Sequence, residues 1–463
     1  MKSKTELFRD APVLRAVLSL ALPSIAGQVI LVIYNIADTL FVSFSGSDEM
    51  ITAVTVCMPA FMFLSAISNL FGVGGASVIS RALGANLREK AKQVSAFVIW
   101  GCIAVTALYC LSARLFLHRF VDLLGGSAPI VHENACAYLK AAVVAGGLGA
   151  ALSTLMSHLL RAEGYSVHAS VGIAIGGILN ICLDPLFMFV ILKPGNEALG
   201  AAVATALSNY VALGYYGVLL HRKKDKIVIS LSPCKEMVES GIPKAVFLVG
   251  IPACLMTLCE NISYAVLEKL MVSAGTAAQA GVGVAKKVNM LAHCIVRGMS
   301  QGVLPLIGYN YSSGNRRRMR KIITCSGTIS VGLSLFCMAI CLLFAKPLIG
   351  IFIRPTALSH QYGVSFLKIL CIGAPFSAFA YTVISFFQAT GQGIKSLVLA
   401  LLRKGILDIP LMFLLHSIYP VFGIVWATPL ADFICCITAA SLFFRWIALH
   451  GHGEKAPKSF EHF

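Results

Sequence analysis

The sequence predicts an all-α integral membrane protein, with twelve transmembrane helices in two six-helix lobes related by a pseudo-two-fold axis along the membrane normal. Three observations predict it. Of 463 residues, 58% are hydrophobic and only 12% charged, against roughly 25% charged in a soluble domain; the mean hydropathy is +0.83. Apolar runs long enough to span a bilayer, about 20 residues each, recur twelve times. Lys and Arg crowd into alternate connections between those runs. Too few polar side chains remain to cover a water-facing surface of this size, and a helix in lipid satisfies its own backbone hydrogen bonds. The roughly ten-residue alternating segments of a membrane β-barrel are absent.

The runs follow one another along the chain. The first, 14–43, follows the polar and basic stretch 1–16. It is too long for the apolar region of a cleavable signal, so it is expected to stay as helix one; it carries Pro23 and Asp38. The second, 50–80, holds Gly72, Gly74 and Gly75, which suit close helix packing better than phosphate binding. The third and fourth are 93–117 and 132–160, the latter running into Arg161-Ala162-Glu163-Gly164. The fifth, 166–192, contains Asn180 and Asp184-Pro185, and the sixth is 198–220. After a polar connection come 244–273, with Pro252 and Glu260, then 278–308, 322–345, 362–388, 394–417 with Asp408, and 421–448 with Asp432.

The basic residues set the orientation. Lys2, Lys4, Arg9 and Arg15 lie in the N-tail; Arg81, Arg88, Lys90 and Lys92 follow helix two. Arg222, Lys223, Lys224, Lys226, Lys235 and Lys244 follow helix six, and Arg316, Arg317, Arg318, Arg320 and Lys321 follow helix eight. Lys455 and Lys458 lie in the C-tail. The opposite connections hold only Arg114, Arg119, Lys193, Lys346 and Arg354. By the positive-inside rule both termini are cytoplasmic, the number of spans is even, and the chain is a multi-pass protein of the inner (plasma) membrane. The net charge of +17 is therefore a topology signal, with some contact to anionic lipid, and not the mark of a nucleic-acid partner. A monomer in the lipid bilayer, meeting small-molecule substrates, is expected. Fifteen Cys lie almost wholly within the apolar runs, where they act as small hydrophobes. There is no C-x-x-C pair and no Cys/His cluster with zinc spacing.

The chain divides into a lobe of helices one to six, 1–221, a cytoplasmic linker, 222–243, and a lobe of helices seven to twelve, 244–463. The halves match in order when one is slid along the other. Ala21-Leu22-Pro23 recurs as Gly250-Ile251-Pro252, and Arg161-Ala162-Glu163-Gly164 as Gln388-Ala389-Thr390-Gly391. Leu183-Asp184-Pro185-Leu186 resembles Leu407-Asp408-Ile409-Pro410-Leu411, and Gly200 to Thr205 matches Gly423 to Thr428. A parallel repeat of this kind is a transporter architecture; the plain alternative is a duplicated scaffold. The Walker A pattern is missing, and Gly391-Gln392-Gly393-Ile394-Lys395-Ser396 imitates only its end. No cofactor is expected, and an ion gradient is left as the energy source.

The acids inside apolar runs carry the chemistry: Asp38, Asp184, Glu260, Glu268, Asp408 and Asp432. A carboxylate at mid-bilayer costs about 2.5–3.5 kcal/mol on insertion scales. It persists where it faces a cavity, pairs with a base, or holds a cation. Asn180 and Asp184, at i and i+4, share one face of helix five. Pro185 follows, and its missing N–H leaves the carbonyl of Ile181 without its helical donor. Amide, carbonyl and carboxylate oxygens suit sodium, or carboxyls can share a proton; the structural alternative for Asp184 is a hydrogen bond that stabilises the kink. Glu260 either attracts a cationic substrate or second proton, or partners a buried base such as Lys286, Lys287, Arg297, Arg403 or Lys404. Glu268, beside Lys269, reads as interfacial. Asp408 and Asp432 read equally as cavity lining or as partners of Arg403 and Lys404. His158 and His416 read as isolated and structural.

These stretches, with Gly74-Gly75 leading to Arg81-Ala82-Leu83-Gly84-Ala85-Asn86, Asn180-Ile181-Cys182-Leu183-Asp184-Pro185, and Gln301-Gly302-Val303-Leu304-Pro305-Leu306-Ile307-Gly308-Tyr309-Asn310-Tyr311, make the chain resemble the multidrug and toxic compound extrusion (MATE) family over essentially its whole length. The Arg-Ala-Glu-Gly form resembles the bacterial MepA-type branch. The resemblance implies a two-lobed antiporter, not an enzyme, that exports amphipathic, often cationic compounds in exchange for protons or sodium. It implies a cation site at Asp38, Asn180, Asp184 and Thr205, and a second coupling acid at Glu260. Met62, Phe63, Met256, Tyr264 and Phe379 are expected in the substrate cavity, although each also suits plain packing. A lipid-linked-precursor flippase of the same broad superfamily is the alternative; it needs a basic cavity, which Arg81, Lys286, Lys287, Arg297 and Arg403 keep open.

Overall fold

The computed structural model describes residues 4–44, 47–125, 128–232, 236–239 and 241–450. Lys2, Lys235, Lys455 and Lys458 of the basic clusters lie outside the described residues. Among the described residues the chain runs through twelve long helical segments, some of them interrupted, numbered here in chain order. They are α1 (Val13–Ser43), α2 (Asp48–Gly84), α3 (Arg88–Leu115), α4 (Pro129–Ala145 with Gly147–Ala162), α5 (Ser166–Ile191) and α6 (Glu197–Arg222). The second six are α7 (Ile242–Val272), α8 (Thr276–Ser312), α9 (Arg316–Leu343), α10 (Leu358–Ile372 with Ala374–Ala389), α11 (Gly393–Leu401, Leu402–Ile406 and Asp408–Ile418) and α12 (Phe422–His450). Short helices at Lys4–Arg9, Leu117–Leu123, Glu236–Glu239 and Ala345–Gly350 carry no number.

Among the described residues nine spans are continuous helices long and apolar enough to cross a bilayer, whereas α4 bends by 47° and α10 by 42°. The causes are local. In α4 a π-helical stretch, Lys140–Ala145, meets Gly146. In α10, Pro375 offers no N–H to the carbonyl of Cys371. The segment α11 is interrupted by a π-helical stretch, Leu402–Ile406, in the middle, and its two α-helical pieces are each too short to span alone.

The chain forms two compact units. One is Val29–Gly250; the other joins Met1–Gln28 to the chain from Ile251 onward. Each division falls inside a helix, α1 or α7, and not at the polar linker. In the first unit α2, α4 and α6 close a core around Val54, Leu64, Leu139, Val143 and Ala201. In the second, α7, α8, α10 and α12 enclose Leu267, Ala285, Phe366, Leu370 and Val425.

The repeated motif at the ends of α4 and α10 has one conformation in both halves. Gly164 and Gly391 have φ of 81° and 76°, a region that favours glycine. The next residue's N–H, of Tyr165 or Gln392, reaches back 2.8 Å to the carbonyl of Leu160 or Phe387, closing the helix. The first half adds a task. Glu163 accepts hydrogen bonds from the backbone N–H of Val228 (2.9 and 3.0 Å) and Ile229 (2.9 Å), while Ser95 Oγ accepts from Ser230 N–H and Trp100 Nε1 donates to the Leu231 carbonyl. The linker is thereby strapped to its own unit. Hydrogen bonds to a charged group contribute about 1.5–3 kcal/mol. Glu163→Ala should therefore speed tryptic cleavage after Lys224 and Lys226 by about tenfold or more; an unchanged digestion rate would refute the strap.

Candidate functional site

The acids within the spans are handled in two contrasting ways. In the first unit two close approaches bring α1, α5 and α6 together. A Cβ on Gly177 would lie 3.0 Å from Ile30 of α1, and one on Gly200 would lie 2.8 Å from the Met188 backbone. One and two turns beyond Gly177 stand Asn180 and Asp184, both buried. Asn180 Nδ2 donates to Asp184 Oδ1 at 3.0 Å and to Thr205 Oγ1 at 3.2 Å. Asn180 Oδ1 and Asp184 Oδ2 are buried with no hydrogen-bond donor. Among the described residues no ion pair joins Asp184 to a Lys, Arg or His. Asp38 of α1, half-buried, acts electrostatically on Asp184. Directly after Pro185 the helix widens into a π-helical stretch, Leu186–Ile191, a feature frequent at functional sites.

The four residues of the expected cation set are thus gathered on three neighbouring helices. Two others were not singled out from sequence: Tyr34 and Tyr138 both lie within electrostatic range of Asp38 and Asp184. The i−4 spacing of Tyr34 from Asp38 was a usable signal; nothing local pointed to Tyr138.

The second unit repeats this geometry with different chemistry. In the internal alignment Lys404, Asp408 and Thr428 stand where Asn180, Asp184 and Thr205 stand. Lys404 Nζ is 2.9 Å from Asp408 Oδ2, Thr428 Oγ1 donates to Asp408 Oδ1 at 3.0 Å, and Ser263 Oγ donates to Oδ2 at 2.6 Å. The corresponding aspartate therefore has a fixed cation beside it. A second cluster lies nearby. Arg403 Nε is 2.7 Å from Asp432 Oδ1, its Nη1 3.2 Å from Glu260 Oε1, and its Nη2 donates to Ser377 Oγ at 2.9 Å. Arg297 Nη2 meets Glu260 Oε2 at 2.8 Å, and Tyr381 Oη donates to Oε1 at 2.5 Å. Glu260, Asp408 and Asp432 are all paired with bases.

The expected cavity residues are distributed over both units. Met62 and Phe63 lie on α2, where Phe63 is exposed and its ring stands 4.9 Å from that of Tyr109. On α7, Met256 packs against Val296 and Tyr381, and Tyr264 lies under Lys286 Nζ at 4.9 Å. Phe379 of α10 is half-buried. Although the sequence shows no Cys/His cluster with zinc spacing, His118, His132 and Cys136 place their ligating atoms within 4.8 Å of one another.

The family model described as MatE matches residues 23–186 and 252–414, two stretches that begin at the equivalent prolines Pro23 and Pro252. The chain is 30% identical over 435 residues to the multidrug export protein MepA of Staphylococcus saprophyticus, covering 93% of this chain and 94% of that one. It is 29% identical over 438 residues to MepA of Staphylococcus aureus, with 93% and 94% covered. Among solved structures it is similar to the outward-facing conformation of a multidrug resistance MATE family transporter of the MOP superfamily (TM-score 0.89, 23% identity, 98% of this chain and 100% of that one). It is also similar to a MATE in complex with MaL6 (TM-score 0.89, 24% identity, 98% and 100%).

Proposed function

The chain belongs to the MatE family, and we propose that it is a secondary active exporter of amphipathic, cationic small molecules, driven by protons or sodium bound at Asp38, Asn180, Asp184 and Thr205. The names of its MepA relatives support multidrug export. The observation that carries the ion assignment is the contrast between the two halves. Where one half keeps Lys404 against Asp408, the other keeps an amide, Asn180, against Asp184. A buried carboxylate without a fixed cation needs a mobile one. Oxygen ligands from a carboxylate, an amide and a hydroxyl suit sodium, and the same carboxylate can take a proton.

In this reading export follows alternating access. Substrate is taken from the cytoplasm or inner leaflet while the ion site is empty. A proton or sodium ion then binds at Asp38 and Asp184 from the outside and releases it. A membrane potential supplies about 2.3 kcal/mol per charge per 100 mV, enough for more than tenfold accumulation. Glu260 is read as part of the structural network that Arg297 and Arg403 complete, and Met62, Phe63, Met256, Tyr264 and Phe379 as substrate contacts. The flippase reading is not favoured: of the bases that kept it open, Arg297 and Arg403 are engaged by Glu260 and Asp432, and Lys286 lies over the Tyr264 ring.

Purified protein in liposomes, loaded with a fluorescent cationic dye and given an imposed proton or sodium gradient, tests the proposal. Dye should be driven out by one of the two gradients and stop when its ionophore collapses that gradient. Export indifferent to both gradients would refute ion coupling, and movement only of a polyprenyl diphosphate would restore the flippase.

A further inference from the structure

A group of ligating side chains stands apart from the ion site, on the connection between α3 and α4. His118 and Asp122 are i and i+4 on the short helix Leu117–Leu123, and His132 and Cys136 are i and i+4 on the first part of α4. That spacing puts each pair on one helix face, and the two faces meet. His118 Nδ1 lies 3.0 Å from His132 Nε2, and Cys136 Sγ lies 3.6 Å from His118 Nδ1.

We propose that His118 Nδ1, His132 Nε2 and Cys136 Sγ bind a transition-metal ion of the Zn2+ class, with the fourth position open to solvent. The spacing fits such an ion. Zinc–nitrogen bonds of about 2.0–2.1 Å and zinc–sulfur bonds of about 2.3 Å, at tetrahedral angles, put two nitrogens about 3.3 Å apart and nitrogen and sulfur about 3.5 Å apart. The His118–His132 and His118–Cys136 separations, 3.0 and 3.6 Å, lie within a few tenths of an ångström of those values, and all three ligand atoms lie within 4.8 Å of one another. The donor set matters too: imidazole with thiolate selects zinc and its neighbours over magnesium or calcium.

The surroundings resemble a built metal site. Asp122 Oδ1 stands 3.1 Å from His132 Nδ1, the carboxylate–histidine arrangement that fixes a ring and aims its other nitrogen at a metal. Cys136 is buried among the core residues of its unit, so one ligand is held rigidly. His118 is exposed, at the edge of a cleft of 810 Å³ lined also by Arg114, Arg119 and Lys140. A bound ion clamps Leu117–Leu123 to the start of α4, two residues before Tyr138. The proposal stands independently of the transport reading.

The test uses full-length protein, freed of any affinity tag and of metal, titrated with Zn2+ by calorimetry and with Co2+ by absorption. One equivalent of each should bind, with Co2+ giving tetrahedral d–d bands and a thiolate charge-transfer band. Cys136→Ser should remove the charge-transfer band. His118→Ala changes only an exposed ring, so it separates loss of a ligand from loss of fold. It should weaken Zn2+ binding at least a hundredfold and abolish the rise in melting temperature that Zn2+ gives the parent protein. Binding of well under one equivalent, or binding in His118→Ala and His132→Ala as strong as in the parent protein, would overturn the site and leave a histidine–histidine hydrogen bond.

Discussion

Asp184→Asn is expected to lower gradient-driven efflux by about a hundredfold or more while the protein still inserts and folds. The fold should survive because the replacement keeps an oxygen to accept from Asn180, and because no fixed base is orphaned: among the described residues Asp184 has no ion pair, only the Asn180 amide at 3.0 Å. The transport loss follows from removing the charge that a bound cation needs. Truncating one partner of a buried charge pair costs about 2–5 kcal/mol, and about 1.4 kcal/mol is a factor of ten. The companion substitution comes from the other half of the molecule. Asn180→Lys would set an ammonium beside Asp184 as Lys404 stands beside Asp408, replacing the mobile cation by a fixed one; it too should fold and fail to couple. Dye efflux from liposomes under the productive gradient, normalised to the amount of monodisperse protein, measures both. Wild-type efflux in Asp184→Asn would remove the first unit from the coupling reaction.

The internal repeat is what makes that contrast readable, and much of it was legible in the sequence. Apolar runs announced twelve spans because lipid forces the backbone of each into a helix. The matched stretches around Pro23 and Pro252, and around Asp184 and Asp408, announced the duplication. Spacing placed Asn180 with Asp184, because i and i+4 share a helix face; the sequence leaves Asp408 open between cavity lining and pairing with Arg403 or Lys404, and the structure pairs it with Lys404. What spacing could not supply is pairing across the fold. Glu260 faced five possible bases, and only the packing of α7, α8 and α11 selects Arg297 and Arg403. The bends in α4 and α10 escaped for a different reason: hydropathy is blind to a π-helical stretch such as Lys140–Ala145. The histidine–cysteine cluster escaped because its two halves come from separate helices, each showing only one ligand-like pair.

Arg403→Leu is expected to cost the folded state about 3–5 kcal/mol, the usual penalty for stranding a buried charge. Arg403 is 3% exposed and serves three partners from one fork: Asp432 at 2.7 Å, Glu260 at 3.2 Å and Ser377 at 2.9 Å, with its guanidinium 4.4 Å from the centre of the Tyr381 ring. Lysine offers a point charge in place of a fork, so Arg403→Lys should recover only part of the loss. The stranded group is chiefly Asp432, because Glu260 keeps Arg297. Adding Asp432→Asn to Arg403→Leu should therefore restore part of the yield of monodisperse protein and of the melting temperature, a non-additivity expected of residues in one network. Stability equal to wild type in Arg403→Leu would show that the network bears no structural load. The same variants separate the two roles open to Glu260. If its ion pairs are scaffolding, transport per folded molecule should hold in the double variant even as yield falls. If Glu260 couples transport to an ion, activity per molecule should fall out of proportion to stability, and the assignment of coupling to Asp184 alone would fail with it.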